Sequence, residues 1–467
     1  MLSSHSSPDK DIIDFNDALD IPNFLIPAAR TSAGYLDASE HELIHHFRTT
    51  VWQSMSLQQG EEITAIIRDW VPQKAMGTDY MLNSIFGIAS FHKHTVAGRL
   101  PVWGNHRSIM YRQKALESYS KALNNITSEN YETLLITSMW MTVMVTKPTL
   151  PCSDDECLDW AYSTFSMMQG LRILASLKWA SGIEKLTVYP LFRRELRKLP
   201  PPPVLTVVPE YLWPHGEWSH PNAPGESLNQ TPRSTTASAS PTPSPQSAGV
   251  HIDTSKLPIR PQTLMSASNS QHAPQSWKNT KPSWQLPAPA FLPPPLMALL
   301  HSLVADPQDA GPMDLHRPIL IPVLHALSPI FLSLYYFRLT PDAHVRIFVL
   351  PTFLTPEFHG LVRAREPRAL VLVAWYYALV MLVPQTAQWW CKEIVPRLMQ
   401  AVSNAVMRTC DGLLMDAIEG AYRIVRVEMR TGKEEATKSI FEGWEGVNWE
   451  EGPRKGEEWR VDEEVSP

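Results

Sequence analysis

The sequence predicts an all-α protein, a single helical domain interrupted by a long, disordered, Pro/Ser-rich insertion. Three observations carry that prediction. Apolar residues recur at helical spacing along most of the chain, which places them on one stripe of each segment. Few windows alternate with the period of two that strands need, and no Asn-Gly or Asp-Gly pair separates two apolar runs. About half of the 42 prolines lie between Pro200 and Pro295, so the flanking segments keep the backbone donors that helices require.

The elements follow in order. Residues 1–38 read as a disordered N-terminal segment. Ser39-Glu40-His41-Glu42 has the S-x-x-E form of a capping box, and Leu43, Ile44, Phe47, Val51, Trp52 and Met55 follow on one stripe. Asp79 opens a second helix with Leu82, Ile85, Phe86 and Ala89 on its apolar face. A third spans about 106–125. Ser128 precedes a fourth through Leu134, Leu135, Met139, Trp140, Val143 and Met144, and two more are expected near 157–178 and 183–198.

The insertion is placed at 200–295. Its runs Pro200-Pro201-Pro202-Pro203, Pro241-Thr242-Pro243-Ser244-Pro245 and Pro293-Pro294-Pro295 sit in Ser/Thr/Gln/Asn/Ala-rich sequence. That composition buries too little surface to offset the ordering entropy, and a plain linker is favoured over a PxxP ligand. Thr355-Pro356 and Glu366-Pro367 then place proline where a first helical turn tolerates it. Helices are expected at about 367–383, 386–408 and 411–429. The domain plan is therefore a first helical half over 39–199, the insertion, a second half over 296–429 and an acidic tail over 430–467.

Composition excludes several classes. The net charge of −6 disfavours an exposed nucleic-acid footprint, and residues 428–467 hold 12 acidic and 6 basic side chains, so the chain before Glu428 sums to zero. The tail interleaves Phe441, Trp444, Trp449 and Trp459 with acids, a composition compatible with an activation segment, although a solvated tail is the simpler reading. Four cysteines, Cys152, Cys157, Cys391 and Cys410, are too few for a disulfide scaffold and suggest a reduced, intracellular chain. No apolar run follows a basic start, so no secretory signal is expected, and the most apolar stretch, Ala369 to Val383, is too short for a membrane span.

One motif imitates a catalytic centre. His41-Glu42-Leu43-Ile44-His45 matches H-E-x-x-H, in which two histidines four apart grip zinc and the glutamate activates water. The extended form fails, because Arg48 and Val51 stand where a glycine and a third histidine belong. An amphipathic helix with histidines along its polar edge is favoured, so His41, Glu42 and His45 are a lookalike and no metal is expected. A zinc-dependent hydrolase remains the alternative, and a non-catalytic scaffold another. Cys152-Ser-Asp-Asp-Glu-Cys157 has no second cysteine pair and reads as a loop with two free thiols, while Cys391 and Cys410 read as small core residues. No nucleophile elbow, phosphate loop or dinucleotide fingerprint occurs, so neither an enzyme nor a cofactor is expected. The basic cluster Arg193-Arg194-Glu195-Leu196-Arg197-Lys198 reads as a helix C-terminus.

Aromatic and methionine stripes suggest either ordinary core or an apolar cavity. The pocket candidates, chosen by composition, are Phe86, Met139, Trp140, Met144, Trp375, Tyr377, Trp389 and Trp390.

The run Glu42-Leu43-Ile44-His45-His46-Phe47, then Trp70-Val71-Pro72, then Asp79-Tyr80-Met81-Leu82 with Ile85, Ile88, Ala89 and His92, forms a recognisable series. Tyr111 to Ala115, Asn125-Ile126-Thr127, Asn130, Ala369 to Ala374, Tyr377 and Trp389-Trp390 continue it. The series resembles the regulatory, ligand-sensing domain of fungal zinc-binuclear-cluster transcription factors similar to the sterol uptake control protein. The resemblance implies an all-α regulatory domain controlling gene expression, in a sterol or secondary-metabolite pathway. It implies an apolar, sterol-like ligand, a homodimer or partner regulator, and a nuclear location with shuttling from the cytoplasm. It also makes His41 an accident, since the family pattern fixes Glu42, His45 and His46 alone. The six-cysteine zinc cluster of such regulators has no counterpart before Cys152, so contact with DNA is expected only indirectly.

Overall fold

The computed structural model describes residues 30–96, 105–192, 199, 290–304, 314–444 and 447–450, apart from 33, 56, 58–59, 176, 178–181 and 183. Residues 1–29, Arg193 to Lys198, the insertion up to 289 and the tail beyond Glu450, with Trp459, lie outside the described residues.

The architecture is all-α, with one two-residue antiparallel ribbon, β1 (Arg30–Thr31) with β2 (Gly34–Tyr35), at its start. Ser32 donates its amide to the Met76 carbonyl at 3.0 Å, and Leu36 is buried, so residues ahead of 38 already pack against the helices.

Helix α1 (Ala38–Thr49) corrects the expected cap. Its N-cap is Asp37, whose carboxylate accepts from the Glu40 amide at 2.7 Å while Glu40 accepts from the Asp37 amide at 3.0 Å. The reciprocal box therefore sits two residues earlier than Ser39-Glu42, and the Ser39 hydroxyl itself donates to Asp37 Oδ1 at 2.7 Å. Asp37→Ala should then cost about 1 kcal/mol in a urea titration, and Ser39→Ala no more than a few tenths; the reverse order would return the cap to Ser39.

Sequence reading missed the next helix, α2, built of three abutting pieces, Glu61–Thr64, Ala65–Trp70 and Val71–Ala75. The middle piece is a π-helix. It widens directly before Pro72, which has no N–H to donate and crowds the carbonyl four residues back. Helices α3 (Asp79–Val96), α4 (Asn105–Leu123), α5 (Tyr131–Met144) and α6 (Asp154–Ala175) follow near their expected positions. Of the helix expected over 183–198, the described residues contain one turn, α7 (Tyr189–Phe192).

After the insertion come α8 (Pro294–Val304), α9 (Arg317–Phe337), α10 (Pro341–Phe353), α11 (Pro356–Arg363), α12 (Pro367–Val380), α13 (Gln385–Gln388), α14 (Val395–Met407), α15 (Gly412–Thr431) and α16 (Lys433–Phe441). Phe291 and Leu292 are 2% and 0% exposed, and Phe291 donates its amide to Ser328 at 2.8 Å, so residues already belong to the core four positions before the expected boundary at 295. The single helix expected over 386–408 is broken. Pro396 cannot donate to the Lys392 carbonyl, and the chain turns before α14 restarts it.

The buried residues form two cores. The first gathers Phe47, Met81, Ile85, Phe86, Leu134 and Trp140 from α1 to α5. The second wraps α12, whose residues from Ala369 on are all buried. Helix α6 crosses the expected division into halves, because Cys157, Trp160, Phe165 and Met168 pack in the second core. Helix α9 is long and apolar enough to cross a membrane by length and composition, but Leu320, Leu324, Leu327 and Phe331 pack into that same core. Three aromatic residues assigned to a solvated tail are also built in. Phe441 and Trp444 are buried, Trp444 stacks on Phe291 at 4.4 Å, and Trp449 lies under the Arg338 guanidinium at 3.5 Å.

Candidate functional site

The two cores meet along a seam where Val143 and Trp389 pack against both. Helix α3 brings Phe91 and His92 there, α1 brings His46, α4 brings Arg112, and the turn after α13 brings Trp389. The local sequence makes this approach possible at Gly87. A Cβ there would lie 2.8 Å from Arg112 Cγ and 3.5 Å from Met144 Sδ, so only glycine lets α3, α4 and α5 close so tightly.

Trp389 is the hub. Its ring lies 5.0 Å from Phe91 and 4.9 Å, edge-on, from His92. His92 Nδ1 in turn is 3.2 Å from His46 Nε2, so one imidazole donates to the other and the acceptor must be neutral. Burial, with the His46 ring beside it, pushes His92 down to about 4, and burial together with Lys93 lowers His46. The pair is neutral at physiological pH. Lys93 itself pairs with Glu42, and Lys147 pairs with Glu393 across the seam.

Arg112 is 3% exposed and has no carboxylate partner among the described residues. Its Nη1 donates to the Met144 carbonyl at 3.2 Å, at the negative end of α5, and its guanidinium lies 5.0 Å over the Phe91 ring. Burial lowers its pKa to about 10, which leaves it charged. Its Nε and the Nε1 of Trp389 are buried donors without a partner among the described residues. The seam thus offers aromatic walls, two unused donors and one buried cation. Such groups are the chemistry by which a protein holds an apolar molecule bearing a hydrogen-bond acceptor.

The sequence candidates divide between the cores. Phe86, Met139, Trp140 and Met144 belong to the first, where Phe86 faces Tyr111 at 5.0 Å and Trp140 faces Phe47 at 5.7 Å. Trp375, Tyr377 and Trp390 belong to the second, and Trp389 bridges. Met144 and Trp389 therefore reach the seam, while Trp375 is held away from it by a 2.8 Å bond to the Ala417 carbonyl. Reasoning from sequence missed His92 and Arg112 as site residues. Arg112 left a signal, since Ser108, Tyr111, Ala115 and Tyr119 share its buried stripe and an arginine there is out of place.

The H-E-x-x-H residues are engaged otherwise. His41 Nδ1 contacts the Asp37 carbonyl at 2.9 Å, Glu42 pairs with Lys93 rather than closing a capping box, and His45 is exposed. Among the described residues, no three of His, Cys, Asp and Glu converge as a metal would need. Cys391 is buried as expected, whereas Cys410 is exposed in the left-handed turn before α15. A separate open cleft of about 560 Å³ is lined by Lys392, Glu428, Met429, Gly432, Lys433 and Glu434, and none of the eight pocket candidates lines it.

His344 and His359 are also buried and pushed to about 4 by desolvation, His359 with both ring nitrogens unpartnered. The unfolded chain protonates first as pH falls through about 6.5, so stability is full above that value and is lost down to about 4. Each of His92, His344 and His359 should contribute on the order of 1–3 kcal/mol to that loss. His359→Phe should flatten the Tm-against-pH curve across that window; a slope equal to wild type would refute the assignment.

Residues 42–176 match the family model of the fungal specific transcription factor domain. That segment includes α3, α4, α5 and all of α6, and it supplies His46, Phe91, His92, Arg112 and Met144 to the seam. No curated protein and no solved structure matches the chain.

Proposed function

We propose that the chain is a fungal transcriptional regulator whose helical domain senses an apolar, sterol-like small molecule at the seam between its two cores. The observation that carries the first half of this reading is the match of residues 42–176 to the fungal specific transcription factor domain. The match supports a transcriptional regulator, suggests a non-enzyme and suggests a nuclear location. The second half rests on the seam. Buried donors left without partners are costly, and a ligand acceptor reaching Trp389 Nε1 or Arg112 Nε would offset that cost.

The mechanism is a population shift. A ligand that fits the opened seam better than the closed one moves the equilibrium by its difference in affinity for the two states. The two cores then change their relation, which alters a surface used by a second copy or a partner regulator, or releases the chain from cytoplasm to nucleus. The sterol or secondary-metabolite pathway enters here as the expected setting.

Thermal-shift measurements with ergosterol, cholesterol and long-chain fatty acids test the ligand. A binder present at a hundredfold excess over its Kd should stabilise the chain by about 2.7 kcal/mol, and Trp389→Ala should abolish that gain. Fusing the chain to a heterologous DNA-binding domain tests the regulator, with altered reporter expression expected. A silent fusion would sink the regulatory reading, and unshifted melting with every sterol and fatty acid would sink the sensor.

A further inference from the structure

The segment ahead of α6 is folded back by its own capping box. The Glu156 carboxylate accepts from the Ser153 amide and from its hydroxyl, both at 2.8 Å, while the Ser153 hydroxyl accepts from the Glu156 amide at 3.2 Å. Closing that box lays Cys152 beside Cys157, with their sulfurs 2.9 Å apart. A second clamp fixes the pair from outside. Arg397 of α14 donates to the Cys152 carbonyl at 3.0 Å and pairs with Asp154 at 2.6 Å. Cys157 is fully buried and Cys152 half-buried, so an oxidant in solution reaches one sulfur only.

We propose that Cys152 and Cys157 form a modification site, a dithiol that a peroxide converts reversibly into an intramolecular disulfide. The bond length of a disulfide is about 2.05 Å, so the two sulfurs need to approach by less than about 1 Å. In the first step the Cys152 thiolate attacks one peroxide oxygen and the O–O bond breaks. Cys152 becomes a sulfenic acid, and the second oxygen leaves as water after taking up a proton. In the second step the Cys157 sulfur attacks Cys152 Sγ and the S–O bond breaks. The hydroxide leaves as a second water, carrying the Cys157 proton. Two electrons pass from the sulfurs to the peroxide, and an external dithiol returns them by exchange. Burial pushes the Cys157 thiol up to about 12, which keeps it protonated until its partner is oxidised. The new bond closes the α5–α6 connection on itself where Arg397 already ties it to α14.

The test uses the full chain, treated with hydrogen peroxide, alkylated without reduction and mapped by peptide mass spectrometry. The peptide spanning 152–157 should lose two hydrogens, carry no alkyl group and regain two alkylation sites after dithiothreitol. Exposed Cys410 reports that the oxidant reached the protein. Oxidation of Cys410 with both Cys152 and Cys157 still alkylated would overturn the proposal, and so would Cys152 carried on to sulfinic acid with Cys157 a free thiol. Cys157→Ala supplies the second reading. Its Cys152 should accumulate sulfenic acid trapped by dimedone, several-fold above wild type, and equal trapping in the two proteins would also overturn the site.

Discussion

Trp375→Ala should cost about 3–5 kcal/mol of unfolding free energy, the range for removing a large aromatic side chain from a core that cannot collapse around the gap. Trp375 is 2% exposed at the centre of α12, meets Phe331 edge-on at 5.7 Å and spends its only donor on the Ala417 carbonyl. Its ring also sets how closely α15 can lie. A Cβ at Gly420 would stand 2.8 Å from Trp375 Cζ2, inside contact distance. Gly420→Ala in the intact protein should therefore cost about 1–3 kcal/mol by overpacking. In the Trp375→Ala background the same change meets Pro295 Cγ at an unstrained 3.7 Å and should become neutral or stabilising, since alanine favours the helix by about 1 kcal/mol over glycine. Denaturant titrations of the two single variants and the double variant complete the cycle. Additive costs, or a Trp375→Ala loss below about 1 kcal/mol, would show that this ring is not the core's keystone.

Ending the chain at Thr431 should have a comparable or larger effect. The acidic segment beyond it contains α16, and Ile440, Phe441 and Trp444 are 5%, 2% and 7% exposed. Each large apolar side chain contributes about 1.5–3 kcal/mol on burial, so losing three removes roughly 5–9 kcal/mol, as much as many domains possess in total. The exposed counterpart surface, with Phe291 and Tyr335, would then drive association. The expected result is an insoluble or non-cooperatively melting protein, compared with a chain ending at Glu450. Retention of the full-length Tm by the Thr431 chain would restore the solvated-tail reading.

That segment shows how a sequence reading goes astray. Its acids dominate the composition, yet charges on the outer face of a short helix say nothing about the inner face. Only contact with Phe291, some 150 positions earlier, reveals that Phe441 and Trp444 are core. The same blindness hid α9 and α10. Pro322, Pro329 and Pro351 lie inside them, and a sequence rule reads interior proline as a break. By contrast, helix starts marked by proline in the first turn were plain. Thr355 caps the Phe358 amide at 3.3 Å and Glu366 caps the Ala369 amide at 2.8 Å, because capping is local chemistry spanning three residues.

The seam was legible only in pieces. Trp389 and Met144 drew attention as large apolar residues, and His46 and His92 belonged to the recognised series. Nothing in their spacing, however, joins positions 46, 92, 112 and 389, because packing is decided by complementary shape across distant segments and not by period. Cys152 and Cys157 illustrate the point at short range. Five residues apart, they read as a loop with two free thiols, and the turn closed by Ser153 and Glu156 is what brings the sulfurs together.

The sequence by itself determined the all-α class, most of the helices before the insertion and the motif series of the first half, since periodicity, caps and motif runs are properties of contiguous residues. Tertiary structure alone decided that there are two cores, that α6 belongs to both, that Arg112 is buried without a counter-charge, and that an acidic tail supplies core residues. Each of these depends on which apolar faces find each other, and that choice is made by burial and close packing between segments that the chain keeps far apart.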